Sequence, residues 1–282
     1  MTALPDAARG VEHLPAPGPA LSLASAQVQA PAAGDARRRP RVIAHRGNSS
    51  VAPQNTLAAF EAAWRAGAES IEIDVRLTAD GDVVVIHDDT VDATTSGSGA
   101  VAELDRSAIR ALDAGSWFSP AFAGQRVPTF AETVEFLERR PGIDLLLELK
   151  GSWTAEQAAR VTDPLRSAGL ADRVVAQSFW PETVAALRDA DPGLCRGLLV
   201  ATLDDDVLSR CAALDVAWCN PLGTLLLEDP DLVRRLHDDG REVAVWTLDE
   251  PAHWASAVDL GVDAIITDRP DRLAGWLAAR GV

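Results

Sequence analysis

Ser70-Ile71-Glu72-Ile73-Asp74-Val75-Arg76, then Leu77-Thr78-Ala79-Asp80-Gly81-Asp82, then Val83-Val84-Val85-Ile86-His87, is the stretch that decides the fold. Its two outer runs have strand composition, and six residues separate them. A parallel pair needs a crossover of a dozen or more residues. The two runs are therefore expected to form an antiparallel hairpin, with Asp80-Gly81 as a two-residue turn. Working outward, strand-like runs recur at 42–45, 143–149, 174–178, 197–200, 216–219, 243–247 and 264–267, with helical runs between them. Setting aside the hairpin's return arm leaves eight strands that alternate with helices. That count, on a core of about 240 residues, predicts a (β/α)8 TIM-type barrel. A doubly wound open sheet is the alternative, weakened because no Gly-x-Gly-x-x-Gly follows the first strand.

Start and stop signals frame the helices. Asn55 is expected to cap a helix that carries Leu57, Phe60 and Trp64 on one face and ends at Gly67. Thr129 with Glu132, and Thr154 with Gln157, have capping-box spacing. Pro181, Pro230, Pro251 and Pro270 suit first turns. Gly169, Gly240 and Gly261 suit helix ends. The segment 88–127 has no place in the alternation and is expected to be an insertion over the barrel mouth. Its run Thr94-Thr95-Ser96-Gly97-Ser98-Gly99 reads as a loop, with a phosphate cradle as the sharper alternative.

The chain has 282 residues, 47% of them hydrophobic, and a net charge of −16. The charge argues against nucleic acid and anionic membranes as partners. It leaves room for phosphorylated small molecules held by a local cation cluster or a metal. Cys195, Cys211 and Cys219 are too few for a disulfide framework and lie in or beside apolar stretches. No apolar run reaches the ~18 residues of a membrane span. Residues 1–40 are Ala- and Pro-rich and read as a disordered tail ahead of a barrel over 41–282. The tail lacks the basic start and unbroken apolar stretch of a signal peptide, which points to the cytoplasm.

Active sites of such barrels lie at the C-terminal ends of the strands. Those ends hold His45-Arg46, Glu72-x-Asp74, Glu148-x-Lys150, Gln177-Ser178, Asn220, Trp246-Thr247 and Thr267-Asp268. Side chains alternate along a strand. Ile71, Ile73 and Val75 therefore face the helices, while Glu72 and Asp74 face inward, as do Glu148 and Lys150. Three inward carboxylates must protonate, pair, or bind a metal. All-oxygen ligands favour Mg²⁺ or Ca²⁺ over Zn²⁺. Internal salt bridges to Arg46 and Lys150 are the alternative. Lys150 is the only lysine in the chain, which suggests a task for a compact point charge that a guanidinium fork cannot do. With the two-residue turn, the hairpin register pairs Asp74 with His87 and brings His87 to the carboxylates. His45 and His87 can then serve as general base and acid. His13, His237 and His253 read as bystanders in the tail and on helices. Arg46 and Lys150 suit a phosphate. The set suggests metal-assisted hydrolysis of a phosphate ester; two carboxylates alone could also serve a glycosidase, which the histidine pair and Arg46 disfavour.

His45-Arg46-Gly47, Pro53-Gln54-Asn55-Thr56, Glu72-Ile73-Asp74-Val75 with Thr78-x-Asp80-Gly81, His87-Asp88 and Glu148-Leu149-Lys150 together resemble the glycerophosphodiester phosphodiesterase family. The resemblance runs from about Val42 to Pro270. It implies a βα barrel that splits a glycerophosphodiester, a small-molecule substrate, into an alcohol and glycerol 3-phosphate. It further implies that Glu72, Asp74 and Glu148 hold the metal, that His45 and His87 are the acid–base pair, and that Arg46 and Lys150 contact phosphate. Trp246 resembles the family's late tryptophan and is expected to line the glycerol or alcohol side, with ordinary barrel packing as the alternative. Gln54 stands where the family usually has Glu, and Ala93 where it often has Arg. Both departures bear on charge balance and substrate identity. A lysophospholipase D-like activity on lipid diesters and a non-catalytic phosphodiester-binding barrel are the competing functions.

Overall fold

The computed structural model describes residues 39–204 and 206–281. The expected tail lies outside the described residues up to position 38. Nine strands appear among the described residues: β1 (Arg41–His45), β2 (Ser70–Leu77), β3 (Val83–Val85), β4 (Asp144–Leu149), β5 (Val174–Ser178), β6 (Cys195–Val200), β7 (Trp218–Pro221), β8 (Glu242–Val245) and β9 (Ala264–Thr267). All but β3 run parallel. β1 bonds to both β2 and β9, which closes eight strands into a barrel.

The first half of β2 lies between β1 and β4, and its projecting end, Val75–Leu77, pairs antiparallel with β3. The hairpin register differs by one residue from the sequence expectation. Val75 faces Val85 and Leu77 faces Val83, and the Ile86 N–H donates to the Asp74 carbonyl at 2.9 Å. Asp74 is thus opposite Ile86, not His87. The cause is the turn. The Thr78 N–H donates to the Asp82 carbonyl at 2.9 Å, and the Asp82 N–H donates to the Thr78 hydroxyl. This leaves a three-residue loop, Ala79-Asp80-Gly81, with Gly81 at φ +75°. A left-handed glycine is the usual closing residue of such a loop.

Two apolar layers follow from strand alternation. Ile71, Ile73, Val75, Leu145, Leu147 and Leu149 point outward into the main core beneath the helices. Ile43, Leu146, Trp218, Ala244, Ala264 and Ile266 fill the barrel's interior. Each such large aliphatic side chain contributes about 1.5–3 kcal/mol when fully buried. The apolar plug supports the polar residues further along the same inward faces.

The capping boxes at Thr129/Glu132 and Thr154/Gln157 are both present. Pro181, Pro251 and Pro270 open helices. Pro230 precedes the helix Leu232–Asp238, whose cap is Asp231. The helix Leu57–Arg65 is capped by Thr56 rather than Asn55, and it buries Ala59, Phe60 and Ala63, leaving Leu57 and Trp64 exposed. Small alanines let this helix lie close to the strands. Gly47, at φ +82°, sits so near it that a Cβ would come within 2.6 Å of the Ala59 backbone.

The segment 88–127 reaches the barrel mouth only at its start. Asp88, Asp89 and Thr90 line the cavity, whereas Val91, Val101, Ile109, Ala114 and Val127 form a separate small core with Val84 and Ile86 of the hairpin. The Thr94–Gly99 run does not line the cavity. Its turns are tied within the segment 88–127, Gly97 N–H to the Thr95 hydroxyl, Gly99 N–H to the Asp92 carboxylate and Ser96 N–H to the Asp113 carbonyl. The three cysteines are free. No helix among the described residues is long and apolar enough to cross a membrane.

Candidate active site

A cavity of about 480 Å³ opens at the C-terminal ends of the strands. His45, Arg46, Glu72, His87, Glu148, Lys150 and Trp246 all line it, and Asp74 lies buried beside them. Strand register explains the convergence. His45 is the neighbour of Glu72 across β1 and β2, and Asp74 is the neighbour of Glu148 across β2 and β4. Register neighbours in a parallel pair share a face, so two pairings bring an imidazole and three acids together.

Ligand oxygens of Glu72, Asp74 and Glu148 all lie within 4.8 Å of one another, and all three residues are buried. Two unit charges at that distance repel by about 3–4 kcal/mol at an effective dielectric near 20. Positive charge must offset this. Lys150 Nζ lies 2.7 Å from Glu148 Oε1 and 3.0 Å from Asp74 Oδ1. One compact ammonium thus bridges acids on adjacent strands. Arg46 Nε lies 3.3 Å from Asp74 Oδ2, and Asn55 Nδ2 donates to that oxygen at 2.8 Å. Glu72 accepts the Arg46 backbone N–H at 3.0 Å but has no cationic side chain at salt-bridge distance among the described residues.

The titration tendencies follow. Burial, then repulsion from Asp74 and Glu148, pushes the Glu72 carboxyl well above its ordinary range. Burial also raises Glu148, to about 7, although Lys150 opposes the shift. Burial would raise Asp74 too, but Lys150, His87 and Arg46 outweigh it and hold that carboxyl well down. The salt-bridge alternative is thus present but incomplete. Counted as fully ionised, three acids meet two cations, which leaves one negative charge over.

Both histidines have a carboxylate partner. His45 Nδ1 lies 2.7 Å from Asp268 Oδ1, and His87 Nδ1 lies 2.7 Å from Asp88 Oδ1. An ionised carboxylate only accepts, so each Nδ1 carries the proton and each neutral ring keeps its lone pair on Nε2. Burial lowers the His87 pKa against the pull of Asp74 and Asp88. His87 reaches the cavity even though it is not opposite Asp74. The chain leaves the strand geometry after Val85, and Arg76 Nε secures the His87 carbonyl at 2.8 Å. His237 and His253 lie on helices away from the cavity.

Several residues make contacts at the site that the sequence reading did not assign to them, and two aromatic side chains were not singled out there. Asn55, at φ 54°, turns its amide onto Asp74 instead of capping the helix. Asp268 and Asp88 hold the imidazoles. Phe179 packs edge-on against both Trp246 and Trp180, and these three aromatic side chains line the cavity. Trp246 also has a packing role, since its indole N–H donates to the Asn220 carbonyl at 2.8 Å. The two departures differ in weight. Gln54 Oε1 accepts from Arg46 at 3.0 Å, whereas Ala93 is exposed and does not line the cavity.

A parallel βα barrel with an acidic, imidazole-flanked cavity at its strand ends has the layout of a barrel enzyme. The comparisons narrow the class. The profile of the glycerophosphoryl diester phosphodiesterase family matches residues 45–272. A glycerophosphodiester phosphodiesterase of Caldanaerobacter subterraneus is 34% identical over 242 residues, covering 85% of this chain and 98% of that protein. The crystal structure of a glycerophosphodiester phosphodiesterase from Agrobacterium tumefaciens superposes with a TM-score of 0.74 at 31% identity, over 84% of this chain and all of that one. An Oleispira antarctica phosphodiesterase, solved with its product sn-glycerol-3-phosphate, superposes with a TM-score of 0.80 at 29% identity, over 85% of this chain and 97% of that one. The chain belongs to the glycerophosphoryl diester phosphodiesterase family. It is a phosphoric diester hydrolase.

Proposed function

We propose that this protein hydrolyses glycerophosphodiesters to an alcohol and glycerol 3-phosphate, with His45 and His87 as the acid–base pair. In this reading Glu72, Asp74 and Glu148 hold one divalent cation, Mg²⁺ or Ca²⁺. The observation that carries it is the meeting, at one cavity, of three buried carboxylates and two imidazoles whose Nδ1 atoms are each paired with an Asp carboxylate. The donor set fits a hard cation: all ligands are oxygen, they lie close together, and they have a surplus negative charge. Such a cation, when bound, polarises the phosphate and offsets its charge.

The protein's own groups do the remaining work. One imidazole takes the nucleophile's proton at Nε2, and the other, protonated, gives a proton to the departing alkoxide oxygen. Asp268 and Asp88 stabilise the imidazolium forms through Nδ1–H. Lys150 and Arg46, which border the cavity beside the acids, would contact the phosphate oxygens. Trp246, with Phe179 beside it, lines the glycerol or alcohol side and keeps water from that wall.

The test is direct. Purified protein given glycerophosphocholine and Mg²⁺ or Ca²⁺ is expected to release glycerol 3-phosphate, and chelation is expected to abolish release. Turnover indifferent to chelation would remove the cation from the account. Saturable binding without turnover would favour the non-catalytic barrel.

Charge counting gives a second expectation. Glu72, Asp74 and Glu148 against Arg46 and Lys150 sum to −1, counted as fully ionised. A divalent cation takes the site to +1, which matches a singly charged diester. Gln54→Glu would cancel that surplus beside Arg46. It is expected to weaken inhibition by glycerol 3-phosphate and raise KM by about 5-fold, the scale of a ~1 kcal/mol partly screened pair, with kcat less affected. Inhibition constants for the two proteins provide the check. Unchanged or tighter inhibition would refute the charge count.

A further inference from the structure

The two site histidines obtain their carboxylates differently. Asp88 follows His87 in the chain, so their contact is local. Asp268 comes from 223 residues away, just beyond the last strand, and meets His45 where β1 and β9 close the barrel. Its backbone and its Oδ1 are held by neighbouring groups. Its N–H donates to Asp249 Oδ1 at 2.8 Å, and its carbonyl accepts the Ser50 N–H at 3.1 Å. Its Oδ1 lies 2.9 Å from the Ser49 hydroxyl and 2.7 Å from His45 Nδ1. Asp249 is itself held by the Thr267 hydroxyl at 2.8 Å.

We propose that Asp268 is a positioning residue for the reaction: it fixes the tautomer and plane of His45 so that Nε2, and not Nδ1, faces the cavity. Ser49 holds the Asp268 carboxylate in line. The inference rests on the proposed role of His45 as a proton-transfer group. The pull of His45 and Ser49 keeps the Asp268 carboxyl at about 2 although it is partly buried, so it remains an acceptor at neutral pH. Without it, the imidazole can turn or exchange tautomers, and the fraction of rings ready for proton transfer falls.

Asp268→Ala and Asp268→Asn are expected to lower kcat on glycerophosphocholine by ~10²-fold or more, the scale seen when a catalytic histidine loses its orienting carboxylate. KM is expected to stay within about 3-fold, because no substrate contact is removed. The decisive comparison is Asp268→Ala in a His45→Ala background, where no further loss is expected, since Asp268 acts only through that ring. An equal loss in both backgrounds, or full activity of the single variant, would overturn the proposal. Nitrogen-15 NMR of the His45 ring tests the same claim without turnover, so it stands apart from the proposed activity. A single Nδ1–H tautomer is expected in the unaltered protein and a mixture in Asp268→Ala. Identical spectra would overturn the proposal even if the enzyme were active, and a tautomer change in a protein that hydrolysed no glycerophosphodiester would support it while refuting the activity.

Discussion

His45→Ala and His87→Ala are each expected to lower kcat on a glycerophosphodiester by ~10²-fold or more while leaving the fold intact. The size follows from the proposed division of labour. Either loss removes one of two proton transfers, and water cannot substitute efficiently in a walled cavity. The fold should tolerate both changes, because each ring borders the cavity and neither belongs to the apolar clusters. The double variant should be little worse than the weaker single one if the two act as a unit, as concerted catalytic groups do. The check is steady-state kinetics with thermal melting as the control for folding. Full activity in either variant would eliminate that histidine from the mechanism.

Asp74→Ala is expected to damage both stability and activity. Asp74 is the hub of the buried network: Lys150 on Oδ1, with Arg46 and Asn55 on Oδ2. Its removal leaves the buried Arg46 Nε without its acid and reduces Lys150 to a single partner. Breaking one side of a buried ion pair costs about 3–5 kcal/mol. In a domain of this size that is a Tm decrease on the order of 10 °C. Loss of a carboxylate from the cluster should also make activity undetectable at cation concentrations that saturate the unaltered protein. Asp74→Asn separates the effects, since it keeps the shape and the Asn55 contact but removes the charge. A melting temperature unchanged in Asp74→Ala would contradict the network as described.

The barrel was legible because its signals are local. Alternating strands, capping boxes and first-turn prolines each act within a few residues, and β2 carries its inward acids and outward aliphatics in plain alternation. The acid cluster was legible for the same reason. The hairpin register was not, because one hydroxyl decided it. Thr78 binds back onto Asp82 and enlarges a two-residue turn to three, which shifts each pairing by one. His87 reached the cavity anyway, through the path of the chain beyond β3. Asn55 was misassigned because Thr56, its neighbour, caps equally well and Asn55 tolerates the left-handed backbone that directs it inward. Asp268 could not be weighted from sequence, since its contact with His45 exists only once the first and last strands meet. The single lysine was legible as a residue among the acids. Its ammonium sits where two acids from neighbouring strands leave space for one small cation.

The most direct measurement is a crystal structure of the protein soaked with Ca²⁺ and glycerol 3-phosphate. The account predicts one ion at about 2.3–2.6 Å from oxygens of Glu72, Asp74 and Glu148, with the phosphate on it and both imidazole Nε2 atoms facing that phosphate. An empty acid cluster under saturating Ca²⁺, or a phosphate bound out of reach of the two rings, would contradict it.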